Sequence, residues 1–546
     1  MKLLVVCSIA ITLAATPWVS ADALIVPKII VLATAAGYML PLLIKNNRQL
    51  LDTKSKRNLL IVSILFTAYM LFVMASSQAP FEQEIFGQTG RGLGFITYFS
   101  LLILMLYTQI KIKFENLPII LSGLFLSCTF SSIYSIMQYL GFDIFDWRTQ
   151  TNGIIGTLGN PNFQSSFVAI SLIPTIAFFW DKKNKLFTIP IVTIIFLFTL
   201  FICNSTQGYI ATIASLIYLT LTFLWFNGRK SLFYMASFIS LVSTVIAILG
   251  MFNKGFLSHY LYKISIQSRG EMWQTTLNMI KDNPWTGVGI DSLGDYSLRY
   301  RDEKIANGIA EYIDNAHNFF LQFAATGGIP LSTLYVGILA ITSISIVRVQ
   351  ISLGKFNLIF SALVSAWISF QLQSLISPAA LPTLAWNFIF CGALVGLNKN
   401  LTNYKDENHS KSKVKNPSLD KSSIYLLSVV SATIAFILTI PLFNADKLAK
   451  QADTTRDGFL AVKAAETYPR SIVRYNRLGA GLFESGLYDL SLEIGKGAVE
   501  FNSNSYLTWV IVMVNPKATL EERQRAKAEL IKIDPFNFDV QNYPIK

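Results

Sequence analysis

Apolar stretches of roughly twenty residues recur along this chain with short polar breaks between them, and that recurrence leaves few folds open. A helix needs about 20 mostly apolar residues to cross a bilayer, and inside lipid only helices and closed barrels satisfy their own backbone. The stretches lie at about 23–44, 59–78, 94–110, 117–140, 163–180, 186–204, 208–226 and 232–252. After a long polar gap they resume at about 318–347, 357–377, 382–397 and 423–443. Residues 1–22 open with Lys2, run apolar and end at Val19-Ser20-Ala21. They read as an uncleaved first span or as a signal-like segment with a small-residue cleavage site. The expected fold class is all-α, a polytopic membrane helix bundle of about 12–13 spans. Composition agrees, because 52% of the residues are hydrophobic and 14% are charged, where a soluble domain carries about 25% charge.

The net charge of +13 would suggest nucleic acid in a soluble protein, but no basic helix or aromatic-interleaved groove accompanies it. The basic residues instead sit in alternate breaks: Lys45 to Arg57, Lys111 and Lys113, Lys182 to Lys185, Arg229 and Lys230, Arg348 and Lys355, and the Lys-rich stretch 399–421. The intervening breaks hold at most a single arginine, Arg91 or Arg148, until the long gap. Cytoplasmic loops are the Lys- and Arg-rich ones, so the segments 79–93, 142–162, 253–316 and everything after 443 are expected outside the cytoplasm. Cys7, Cys128, Cys203 and Cys391 all lie in apolar runs without CxxC or zinc-type spacing. They read as small buried hydrophobes, neither a disulfide framework nor a metal site.

The chain therefore divides into a first segment 1–22, a membrane bundle 23–252, a large outer loop 253–316, more bundle at 317–397, a solvated cytoplasmic linker 398–422 that includes His409, a last span 423–443 and a tail 444–546. The tail is charged and amphipathic, and Leu478-Gly479, Leu482, Gly486, Tyr488 and Ala498 follow the small/large pattern of a tetratricopeptide helix pair. It reads as two or three degenerate tetratricopeptide-like repeats, with an unrelated helical cap as the alternative.

Only three histidines occur, His259, His317 and His409. His317 stands where Asp314-Asn315-Ala316-His317-Asn318 gives way to Phe319-Phe320-Leu321, a loop-to-membrane boundary. An imidazole there can take a proton from a hydroxyl at neutral pH. If a helix starts near Asp314, that carboxylate shares a face with His317 and could orient the ring. Arg269 opens an amphipathic stretch that stops at Pro284-Trp285-Thr286-Gly287-Val288-Gly289. A guanidinium grips phosphate bidentately and keeps its charge. Arg91 lies among Gly87, Gly90, Gly92 and Gly94, where glycines allow close backbone approach. Asn160-Pro161-Asn162 is a turn and helix start whose amides could bind sugar hydroxyls, and Asn318 and Gln207 are further amide candidates. There is no Walker loop, no Rossmann glycine set and no GxSxG elbow.

Asp314-Asn315-Ala316-His317-Asn318, followed by Leu321 and Gly328, resembles the His-Asn signature of the O-antigen ligase and polymerase superfamily, which includes the pilin O-oligosaccharyltransferases. Arg269 to Trp273 with Pro284 to Gly289, Gly156-Thr157 with Gly159-Asn160-Pro161-Asn162, and Gly90-Arg91-Gly92-Leu93 are similar to that superfamily's other motifs, in the same order. The likeness spans about residues 60–400, and some members carry tetratricopeptide-like tails. Three positions depart: Thr206-Gln207-Gly208 where many members have Ser-Arg-Gly, Asn315 where an Arg is frequent, and Leu331 at the end of the histidine motif.

The resemblance implies a bacterial inner-membrane enzyme whose large loop and tail are periplasmic. It implies a metal-independent glycosyltransferase, without cofactor, that takes a glycan from undecaprenyl pyrophosphate. The acceptor hydroxyl belongs to lipid A-core, another glycan or a protein, and the repeats are a possible seat for a protein partner. His317 is then the base, and Arg269 with Arg91 holds the pyrophosphate. A polysaccharide polymerase of the same superfamily and a polysaccharide or lipid flippase are the alternatives, and no half-to-half symmetry of the transporter kind is visible.

Overall fold

The computed structural model describes residues 1–145, 147, 153–262, 264–303, 313–398 and 421–545. Arg148, His409 and the linker 399–420 lie outside the described residues. Among the described residues every regular element is helical. Nine helices among the described residues are long and apolar enough to cross a membrane: Ile25–Lys45, Lys54–Ser76, Phe114–Tyr139, Pro161–Phe179, Lys185–Cys203, Thr206–Phe226, Lys230–Met251, Phe319–Leu353 and Ser422–Thr455. Four shorter apolar helices, Lys2–Leu13, Phe95–Lys111, Leu358–Ser374 and Leu381–Gly396, pack among them. The chain is a multi-pass membrane helix bundle.

One apolar core runs through the bundle. Leu381–Gly396 is buried along its whole length, whereas Lys230–Met251 buries only Gly250 and presents apolar side chains outward, as a helix does where lipid is its surroundings. Helix starts follow ordinary capping chemistry. The Thr53 hydroxyl accepts from Lys56 N, the Asn160 side chain accepts from Asn162 N with Pro161 at the first helical position, and Asn357 accepts from Phe360 N.

Basic breaks meet at one end of the bundle, where Arg348 and Asn398 both donate to the Ser55 hydroxyl, at 3.2 and 2.9 Å. At the other end the turn after Lys2–Leu13, the glycine loop around Arg91, the Asn160 turn and the long 253–316 segment come together. The expected first span 1–22 is a twelve-residue helix, Lys2–Leu13, and the turn that follows it belongs to this second end.

The helix Phe319–Leu353 is broken at Gly328, which adopts φ 77° and ψ 165°. The Pro284–Gly289 loop inserts at the break. Ile329 N donates to Pro284 O at 2.8 Å, Val288 N to Ala325 O at 2.9 Å and Gly289 N to Thr326 O at 3.1 Å. Thr326 O would be orphaned in any continuous helix, because Pro330, four residues on, has no N–H. The loop supplies the missing donor. A Cβ at Gly328 would stand 1.8 Å from the Trp285 carbonyl oxygen, so only glycine fits. The half-helix carrying His317 at its start is thus clamped at its far end, and a small core of Met279, Val288, Leu293, Ile313, Ala316 and Ala325 lies beneath the outer segment.

The tail forms helices Gly458–Glu466, Ile472–Glu484, Tyr488–Phe501, Tyr506–Val514, Leu520–Ile533 and Phe538–Asn542, with Gly486 at φ 77° turning the second into the third. It docks on the membrane part. Leu298 of the outer segment joins the tail's apolar cluster. Arg301 grips Asp534 bidentately, Nε to Oδ1 at 3.1 Å and Nη2 to Oδ2 at 2.5 Å, with both side chains buried. Arg470 reaches Glu82 at 3.1 Å, and the Thr89 and Ser471 hydroxyls meet at 2.6 Å.

Candidate active site

The stretch before the broken helix is shaped by two asparagines. The Asn315 side chain accepts from His317 N at 2.8 Å, a local turn that short amide side chains favour. Asn318 Oδ1 then caps the helix, accepting from Phe320 N and Leu321 N at 3.1 Å each. The helix therefore begins at Phe319, and the expectation that Asp314 and His317 share a helical face is corrected. Between them the chain turns, with His317 in the left-handed region at φ 50°. Asp314 reaches instead to Arg91, with Oδ2 2.6 Å from Nη2. Asp314 positions the arginine.

Arg91 is placed by two carboxylates that sequence reasoning missed. Asp22 Oδ2 accepts from Gly90 N at 2.8 Å. Asp291 Oδ2 accepts from Gln88 N at 2.8 Å and Leu93 N at 3.2 Å. Burial lifts both carboxyls to about 6, with Asp446 adding to the effect on Asp22 and Arg91 opposing it on Asp291. Asp22 is in turn tied to the last long helix, because its backbone N donates to Asp446 Oδ2 at 2.8 Å and the Ser20 hydroxyl donates to the same oxygen. The signal for Asp22 was a carboxylate at the mouth of an apolar run. For Asp291 it was the position two residues past the Gly287-Val288-Gly289 turn.

His317 Nδ1 is buried with no hydrogen-bond partner among the described residues. Burial lowers the ring's pKa to about 4, helped by the positive charges of Arg269 and then Arg91 and opposed by Asp314. The imidazole is therefore neutral at pH 7, with a lone pair free to accept a proton. Burial also lowers the pKa of Arg269, and among the described residues no carboxylate pairs with it. Two guanidiniums thus act on one histidine.

A cavity of about 1030 Å³ opens here, lined by Arg91, Asp314, His317 and Asn160 together with Asp22 and Gln88. Of the expected site residues these first four share one wall space. Arg269 acts on His317 through its charge from the helix Ile264–Asp282. The other three amides do not line this cavity. Asn318 caps its helix and donates from Nδ2 to Leu375 O at 3.1 Å. Asn162 accepts from the Ser205 hydroxyl at 2.7 Å. Gln207 is buried, with Oε1 unpartnered among the described residues, and does not line the cavity. Sequence reasoning also missed Asn476 and Arg477, which reach the same cavity from the tail. Nothing in their local pattern distinguishes them from surface residues of a helical repeat.

The arrangement of an unprotonated base, two cations and a large cavity at the end of a membrane bundle suits the transfer of a group from an anionic, lipid-borne leaving group to a hydroxyl. No curated protein matches the chain. Residues 191–336 match the model of the family described as O-antigen ligase; that segment runs from the helix Lys185–Cys203 past Arg269 and His317 to beyond the break at Gly328. Over this segment, with its histidine boundary and broken helix, the chain is similar to the O-antigen ligase family.

Proposed function

We propose that the protein transfers a glycan from undecaprenyl pyrophosphate to an acceptor hydroxyl on the periplasmic face of a bacterial inner membrane, in the manner of an O-antigen ligase. The observation that carries this reading is the single cavity in which His317, Arg91 and Asp314 meet, with the Arg269 charge acting on the same imidazole. His317 takes the proton of the acceptor hydroxyl as its oxygen forms a bond to the anomeric carbon. The bond from that carbon to the diphosphate oxygen breaks, and the electron pair leaves with the diphosphate. Arg269 and Arg91 meet the growing negative charge, so the step as written uses no metal. The helix pairs of 444–546 are read as tetratricopeptide-like. A polymerase differs only in using another glycan chain as acceptor.

Reconstitution tests the reading. The purified full chain in bilayers, given an undecaprenyl-pyrophosphate-linked oligosaccharide and host lipid A-core, should release undecaprenyl pyrophosphate with matching glycan transfer. A cell lacking the protein should then keep its chains but fail to attach them. Shortened chains with attachment intact would make it a polymerase, and unglycosylated protein beside normal lipopolysaccharide would make protein the acceptor. Retention of all three products would sink the proposal.

The pH profile carries a second expectation. The neutral imidazole is the working form, so activity is lost as pH falls through the His317 pKa. In the free enzyme that value lies near 4, below the ordinary 6.5, and the acid limb of kcat/KM should fall well below 6.5. A bound diphosphate offsets the two guanidiniums and raises the imidazole pKa, so the acid limb of kcat should lie at higher pH than that of kcat/KM. Arg269→Gln should move the kcat/KM limb upward. An acid limb unmoved by that change would contradict the electrostatic coupling.

A further inference from the structure

We propose that the C-terminal helical domain supplies a sugar-binding subsite to the catalytic cavity, built from Asn476, Arg477 and Ser505. This deepens the glycosyl-transfer reading and rests on it. The helix Ile472–Glu484 turns one side toward the catalytic cavity. Asn476 and Arg477, with Ser505, line the same 1030 Å³ space as His317 and Arg91. That volume stands at the upper limit of the roughly 300–1,000 Å³ that enclose a drug-sized ligand, which leaves room for sugar rings beyond a diphosphate.

The polar groups on this wall are under-used. Asn476 Oδ1 is buried without a partner among the described residues, and its Nδ2 makes only a long contact, 3.4 Å, to the Ser505 hydroxyl. A buried acceptor left unpaired carries a desolvation penalty, and a sugar hydroxyl would relieve it. Arg477 is paired with Asp453 at 3.4 Å with both side chains partly exposed, a weak attachment that leaves its N–H groups able to reach ligand oxygens. Ile472, Val473 and Leu507 line the same wall and offer apolar surface to the C–H faces of sugar rings. The wall is also firmly held. The buried Arg301–Asp534 pair, the Arg470–Glu82 pair and the Thr89–Ser471 contact fix the tail against the membrane part. A rigid wall with unspent hydrogen-bonding capacity is what selective recognition of hydroxyl patterns requires.

The sugars could belong to the donor glycan or to the acceptor glycan, and two arms separate these. In the first, the full chain in nanodiscs is titrated with undecaprenyl pyrophosphate alone and with the host's undecaprenyl-pyrophosphate-linked oligosaccharide. A combined loss of about 1.4 kcal/mol of hydrogen bonding from the two residues is a factor of about ten in affinity. An Asn476→Ala, Arg477→Gln variant should therefore bind the oligosaccharide-bearing lipid about tenfold more weakly and the bare lipid as before. In the second arm, transfer is measured at fixed donor while the acceptor oligosaccharide is varied, and an acceptor subsite shows as a similar rise in its KM. A change in either arm supports the subsite and assigns its source. Wild-type affinities and KM in both arms overturn it, provided the variant's thermal midpoint matches wild type. A variant that melts early is replaced by Asn476→Ser with Arg477→Lys, read against the same two outcomes. If the unaltered protein itself fails to bind bare undecaprenyl pyrophosphate, the donor assignment falls, and that result is distinct from loss of the subsite.

Discussion

His317→Ala should lower transfer by at least about 100-fold while the protein still accumulates in the membrane. General base catalysis contributes roughly 10²- to 10⁴-fold, which sets the size of the loss. Stability should survive, for three structural reasons. The ring's Nδ1 has no partner among the described residues, so no buried bond is broken. The local turn uses the backbone N of His317, with Asn315 as acceptor, and alanine keeps that N–H. The helix cap belongs to Asn318. A parallel His317→Asn variant suits the left-handed backbone at φ 50°, since asparagine visits that region readily, and it should lose activity equally. The measurement is initial transfer rate per folded protein, normalised by detergent-extracted monomer. Transfer within about twofold of wild type in either variant would remove the imidazole from the mechanism.

Gly328→Ala should act through the fold and should be the more damaging of the two to the protein itself. Its backbone at φ 77° and ψ 165° lies in a region that is essentially reserved for glycine and costs other residues on the order of 1–3 kcal/mol. Steric exclusion adds to this, because the new methyl would overlap the Trp285 carbonyl at 1.8 Å, and that carbonyl sits in a loop held at both ends of the break. Relief requires moving Pro284–Gly289 off the half-helix, which unpairs Ala325 O, Thr326 O and Ile329 N together. The combined cost is roughly 3 kcal/mol or more, enough to deplete folded protein at growth temperature. Fluorescence-detected size exclusion should show a collapsed monodisperse peak, and any surviving fraction should be inactive because the start of the same half-helix presents His317. A normal peak with normal transfer would mean the clamp is not needed.

Much of this was written locally in the chain. The period and length of the apolar runs, with the alternation of Lys and Arg between them, announced a helical bundle, because lipid leaves a backbone few alternatives. His317 and Arg91 stood out for the same local reason, being rare polar groups at the edge of an apolar run. Long-range pairings were not legible. Asp314 was assigned to His317 by helical spacing, and an Asx turn with a better cap at Asn318 overrode that spacing. Asp22, Asp291 and Asp446 meet the Arg91 loop or one another only through tertiary folding, across hundreds of residues in some pairs. The Pro284–Gly289 segment looked like a turn that ends a helix. Its larger part is to donate hydrogen bonds to a second, distant helix, which a pattern of glycines cannot reveal.

The bond from Asp446 to Ser20 and Asp22 joins the beginning of the polypeptide to its last long apolar helix. Ser20 and Asp22 precede Asp446 by 426 and 424 residues, so a ribosome makes them well before it. The Asp446 buttress behind Asp22, which itself holds Gly90 of the arginine loop, is therefore added only after the rest of the bundle has been made. The ordering of the arginine loop is thus coupled, through one carboxylate, to the packing of the last long apolar helix against the segment that opens the bundle.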